Sequence, residues 1–284
     1  MKKNNTEIKT YEPDNAIKQG YFSLFKVIFL ELKQNRWLIY QLFKRDFLAI
    51  YKQSFIGILW AIIIPLISIG TFILLNRSGI FNLGRLDVPY PIFAVLGMAT
   101  WQLFAAGLIA GSNSLVKAGS MIVKINFSKK SLVIASLGQS LISFLIQFFL
   151  AGILFLYYGY SPSAAILLFP ILILPVLLLT LGCGFILSIL NGIMRDIGNI
   201  IAIFMTFFMF LTPVLYSKPT SGILAHITRY NPLFYLVSVP RDLILTGHSA
   251  EWQGFWISVT ISFFVFIFCL YVFHLAETRV TERI

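Results

Sequence analysis

The residues able to do chemistry in this chain are few, and they lie outside its long apolar runs. His226, His248 and His274 stand too far apart to suggest a shared metal ion, and no HExxH, CxxC or GxSxG pattern accompanies them. No GxxxxGK[ST] sequence offers a cradle for a nucleotide phosphate, so no metal, cofactor or catalytic residue is expected and the chain does not read as an enzyme. What remains is charge at three places. Arg36, Lys44, Arg45, Asp46 and Lys52, with Tyr51 among them, make the first; Lys117, Lys124, Lys129 and Lys130 the second; Arg195 beside Asp196 the third. Such cations meet lipid phosphate or a partner's surface. Asp196 is placed to cap the helix that follows, leaving Arg195 for a partner or a lipid.

The elements that hold these groups are set by composition. Of 284 residues, 58% are hydrophobic and only 12% charged, with 28 Phe, and the mean hydropathy is +0.85. A soluble domain could not cover that much apolar surface, so lipid is the solvent. The net charge of +11 does not signal nucleic acid, because the basic residues sit between apolar runs as orientation signals. Six runs reach bridging length, at 55–75, 91–115, 131–156, 164–190, 197–216 and 254–274. The fold class expected is therefore all-α and integral to the membrane. Ten Lys and Arg precede Ser54, four lie at 116–130, one at 191–196 and two at the C-terminus, against two at 76–90 and three at 217–253. That excess places both termini in the cytoplasm. Cys183 and Cys269 both fall in apolar runs, which argues against a disulfide, and the polar residues 1–20 do not read as a cleavable signal peptide.

Three regions follow: a polar tail over 1–30, an amphipathic interfacial helix over 31–54, and a six-span domain over 55–284. In the stretch from Arg45 to Pro65, charge gives way to a continuous apolar run carrying Gly57, Trp60 and Pro65, the pattern of a surface helix that turns and dives into the bilayer. A gate and a plain juxtamembrane anchor both fit it. Gly57 is read as a point of close helix approach and Pro65 as a bend. The 116–130 loop has room for one or two helical turns and fits either a partner-docking element or a topogenic basic loop. The five runs after Pro91 contain no Asp, Glu, Lys or Arg, which does not suit ion-coupled transport. Directional work would draw its energy from a partner.

Several sites then resemble one family. Arg45, Asp46, Tyr51, Lys52, Gln53, Ser54, Gly57, Leu59, Trp60, Pro65 and Leu66 are similar to the N-terminal signature of ABC-2 type permeases that export cell-surface polysaccharide. Asn191, Arg195, Asp196 and Ile197 match a second signature, and Thr212, Pro213, Val214 and Tyr216 followed by Asn231, Pro232 and Leu233 a third. Ile50 departs from the pattern, since many relatives carry a basic residue there.

The resemblance implies a homodimer working with a separate ABC ATPase, which would bind the ATP and Mg; this chain would hold no cofactor. Arg36 to Lys52 would be the gate, including Lys44, Arg45, Asp46 and Tyr51. Ala118 to Lys130 would couple to the ATPase through Lys124, Lys129 and Lys130, helped by Arg195 and Asp196, with Lys129 and Lys130 expected to face solvent. The cargo would be a lipid-linked glycan such as an O-antigen, capsule or teichoic acid precursor, and the location the inner membrane. Residues 217–253 read as two short helices that re-enter or rest on the outer surface. Tyr216, Tyr230, Phe234, Tyr235, Trp252 and Trp256 around them fit a stacking path for sugar rings, or an ordinary interfacial aromatic belt. Export of small amphiphiles, and a non-transporting role in a glycan-synthesis complex, use the same frame.

Overall fold

Apolar backbone in lipid must satisfy its own hydrogen bonds, and here it does so with helices. A computed structural model describes residues 21–51, 57–78, 88–124 and 127–280. Among these residues there are helices and turns and no strand. Helix α1, Tyr21–Gln34, begins inside the stretch expected to be tail, and α2, Arg36–Tyr51, follows at once. Asn35 joins them: its N–H donates to the Glu31 carbonyl at 3.0 Å, and its own carbonyl accepts from Ile39 at 2.9 Å.

After a short 3-10 turn at Gly57–Leu59 comes α3, Trp60–Arg77, with Pro65 inside it. Gly57 has φ +58°, and a Cβ there would meet nothing within 4 Å. It therefore serves a left-handed turn into α3.

Among the described residues, four stretches are long and apolar enough to cross a membrane. They are α4, Tyr90–Ser112; α7, Lys130–Tyr158; the broken run Ala164–Ile193; and Trp252–Glu277, most of α13 (Trp252–Val280). Between α4 and α7 lie α5, Ser114–Lys117, and α6, Gly119–Lys124. The broken run comprises a 3-10 turn, α8 at Phe169–Leu172 and α9 at Leu174–Ile193, with a proline near the start of each helix. The remaining two expected runs are also helical. The first forms the 18-residue α3, whose described residues Ile62–Thr71 are apolar, and α10, Asp196–Leu211, has 16 residues. At 1.5 Å per residue α10 covers about 24 Å, short of a hydrocarbon core of about 30 Å. Helices α11, Gly222–Tyr230, and α12, Pro232–Thr246, then precede α13.

Helix α4 is the centre of the bundle, packed against α7 and α9, and α9 in turn packs along α13. Every residue from Ile92 to Trp101 is buried. At Gly182 a Cβ would stand 2.8 Å from the Phe266 Cα, so only glycine lets α9 and α13 meet backbone to backbone. Outward, Phe149, Leu156, Phe207 and Phe268 are exposed, an arrangement suited to lipid. Within residues 217–253, α12 packs into the bundle: Leu236, Val237, Val239 and Ile244 have no exposed surface.

Candidate functional site

Helix α4 carries its functional neighbours at its two ends, Phe93 near one and Ser112 at the other, about 28 Å apart at helical rise. Asn191 organises the second end. It is 1% exposed; its Nδ2 donates to the Ser112 carbonyl at 3.0 Å and to Asn113 Oδ1 at 3.1 Å, and its Oδ1 accepts from the Gly198 N–H at 2.8 Å. That last bond satisfies a free amide in the first turn of α10. Asp196, expected to cap this helix, sits instead in its first turn and is exposed; the residue before it, Arg195, is itself helical and makes no capping bond. The cap comes from five residues upstream because Asn191, unlike an aspartate, can accept from α10 while donating to α4.

Beside this node, α2 lies across α7 with the Phe43 ring over Gly138, where a Cβ would fall 2.2 Å from the ring. Arg36, Lys44 and Arg45 are exposed on α2; Arg45 pairs with its neighbour Asp46 at 2.8 Å and donates to Met121 Sδ of α6 at 3.5 Å. Such an exposed pair contributes little stability. Arg45, Asp46, Phe47, Lys117 and Gln139 are among the residues lining a cavity of about 290 Å³ between α2, α5 and α7. Tyr51 ends α2, Lys124 ends α6, and Lys52 lies outside the described residues.

Lys130 departs most from expectation. Its side chain has no exposed surface. The ammonium pairs with Glu31 of α1 at 3.2 Å and with Glu277 of α13, while Glu277 also accepts from the Lys129 backbone N–H at 2.5 Å and the Ser128 hydroxyl at 3.5 Å. His274 Nδ1 stands 3.9 Å from the same carboxylate. Lys130 is thus an interior residue, not a solvent-facing contact, because two acids remote in sequence converge on it. Lys129 is half-buried, and Arg195 is exposed.

At the other end of α4, the third signature closes a knot. Asn231 accepts from the Leu233 N–H at 3.0 Å, capping α12, and donates to the Thr212 hydroxyl at 2.8 Å. Arg241 of α12, 4% exposed, donates to the Val214 carbonyl at 3.0 Å and lies over the Phe93 ring at 3.7 Å. Burial pushes the Arg241 guanidinium down and the neighbouring Asp242 carboxyl up, and their mutual attraction opposes both.

The six aromatics divide. Tyr216 is buried and donates to the Phe210 carbonyl at 2.6 Å, and Phe234 is buried beneath Lys218. Neither lines an outer surface, because both help to pack the turn around α12. Tyr235 is half-buried against Gly254 and donates to the Arg229 carbonyl at 2.8 Å. Tyr230, Trp252 and Trp256 are exposed, and the two indoles lie nearly parallel with ring centres 6.4 Å apart.

Sequence reasoning singled out neither Glu31, Glu277 nor Arg241. The signal for Arg241 was a lone basic residue in the apolar series of α12. Among the described residues no cluster of His, Cys, Asp and Glu could hold a metal.

A family described as ABC-2 type transporter matches residues 38–245, from early α2 to the end of α12. The O-antigen export system permease protein RfbA of Myxococcus xanthus is 29% identical over 191 residues, 67% of this chain and 72% of that protein. The protein of the same name from Klebsiella pneumoniae is 25% identical over 225 residues, 77% of this chain and 85% of its own.

Proposed function

Because this chain belongs to the ABC-2 type transporter family, we propose that it is the permease subunit of an inner-membrane ABC exporter of lipid-linked cell-surface polysaccharide. The observation that carries the substrate class is that two relatives, similar over at least two thirds of this chain, are both named for O-antigen export. Two copies of the chain would work with a separate ATPase that holds the ATP and Mg.

In this reading the α2 end of the bundle faces the cytoplasm, in accord with its basic excess. The gate is Arg36 to Lys52, docked on α7 through Phe43. The ATPase meets α6 and the exposed Lys117 and Arg195, which the Asn113–Asn191 bond brings to one end of the bundle. ATP can move the gate only by changing the ATPase's affinity for two arrangements of these elements. At the far end, exposed Tyr230, Trp252 and Trp256 offer flat faces on which successive sugars stack weakly enough to slide.

The test is deletion of the gene, followed by extraction of lipid-linked polymer from the two faces of the inner membrane. Full-length polymer should collect on the inner face and vanish from the cell surface. An unchanged distribution would refute polysaccharide export and turn attention to small amphiphiles.

A further inference from the structure

Glu31, Lys130 and Glu277 come from three distant parts of the chain: interfacial helix α1, the first residue of α7, and the last turns of α13. The two acids are held unequally. Glu277, 10% exposed, accepts from the Lys130 ammonium, the Lys129 amide and the Ser128 hydroxyl. Glu31, 23% exposed, meets the same ammonium at 3.2 Å and keeps an edge toward water. Losing Glu277 would strip the start of α7 of its acceptor. Losing Glu31 returns a carboxylate to solvent and leaves Lys130 paired, so the cluster has one easy way to open and one costly way.

The surroundings permit that opening. Ile28 of α1 and Leu42 of α2 belong to a satellite core with Leu115, Ile122, Leu132 and Phe273, separate from the main core around α4. A satellite can rearrange without unpacking the centre.

We propose that the Glu31–Lys130 pair is a releasable latch. Closed, it holds α1 and α2 against the bundle; open, it frees them while Glu277 retains Lys130. It rests on the gate role proposed above for α2, and gives that gate a fixed point beside the connection that ends at Lys129.

The test uses the full chain alone in open membrane fragments, with Cys183 and Cys269 replaced by alanine and Ile28→Cys as reporter, since Ile28 is 3% exposed. A membrane-impermeant maleimide reads its accessibility. The parent should label slowly, and Glu31→Gln should speed labelling about tenfold at an unchanged amount of chain. Glu31→Asp should remain near the parent, and Glu277→Gln should lower the amount of folded chain. Leu42→Cys, at 4% exposure, provides a second reporter should the first disturb packing. Equal labelling of parent and Glu31→Gln overturns the latch. So does an equal loss of folded chain from Glu31→Gln and Glu277→Gln, which would mark a static support. No ATPase or glycan enters this assay, so a failed export experiment leaves its result standing.

Discussion

Arg241 is a charge carried into the interior of an apolar bundle, and its three neighbours explain how it is tolerated there: the Val214 carbonyl, the Asp242 carboxylate and the face of Phe93. Arg241→Ala removes a charged hydrogen bond and leaves a buried carbonyl bare, a cost of about 3 kcal/mol. Thermal unfolding of the purified chain should show the loss, and Arg241→Lys, which forfeits the planar fit on Phe93, should recover only part of it. If Arg241→Ala unfolds with the parent, the knot of Thr212, Val214, Asn231 and Arg241 does not hold α12 in place. Asn191→Ala frees three polar groups at once and should cost about 2 kcal/mol by the same measurement; no change would show that the α10 amide finds another acceptor. The importance of Asn191 and Asn231 was legible as motif, but their work was not. Each bonds across a fold that brings together residues some 20 to 80 positions apart, and spacing along one chain carries no trace of that.

At the scale of elements, the existence of long helices followed from composition, since a run of about 20 apolar residues in lipid has one economical form. Their burial did not follow. In water the buried face of a helix is its apolar face, whereas in lipid the inward and outward faces are equally apolar, so α4 at the centre and α13 at the edge read alike. For the same reason the burial of α12 against the bundle was not legible, and the helical part of the 197–216 run, α10, is shorter than the run itself. The joint between α2 and α7 is more specific. Phe43 seats over Gly138 because no side chain is there. Gly138→Ala should therefore push α2 off α7 while sparing the main core, lowering export severalfold with membrane levels unchanged. Gly182→Ala, which sets a Cβ 2.8 Å from the Phe266 backbone, should instead reduce the amount of folded chain. Equal behaviour of the two in immunoblots of membranes would mean that α2 is an integral part of the bundle and not a docked gate.

The whole molecule has two unlike ends: Arg45, Lys117 and Arg195 are exposed toward the end of α4 marked by Ser112, whereas Tyr230, Trp252 and Trp256 are exposed, together with Lys218 and Arg229, on the side of the end marked by Phe93. If the first end receives the ATPase, the contact must use charges that are free to meet it, which Lys130, buried between two acids, is not. Replacing Lys130 would damage the fold and say nothing about docking. Lys117 and Arg195 are exposed, and each follows an asparagine of the Asn113–Asn191 pair by four residues, so both stand beside that pair. Reversing both charges removes two favourable contacts and adds two repulsive ones, while touching no packed surface. Such changes at an interface alter affinity and its salt dependence far more than they alter the fold. Lys117→Glu with Arg195→Glu should thus cut the ATPase that copurifies with the chain by about tenfold, close to 1.4 kcal/mol, and leave thermal unfolding of the chain within about 0.5 kcal/mol of the parent. Raising salt should weaken the parent complex toward the variant. A variant that binds ATPase as the parent does would move the docking surface elsewhere, to α6 or to the cavity wall beneath α2; a variant that also unfolds would show that these two cations belong to the bundle and not to its partner.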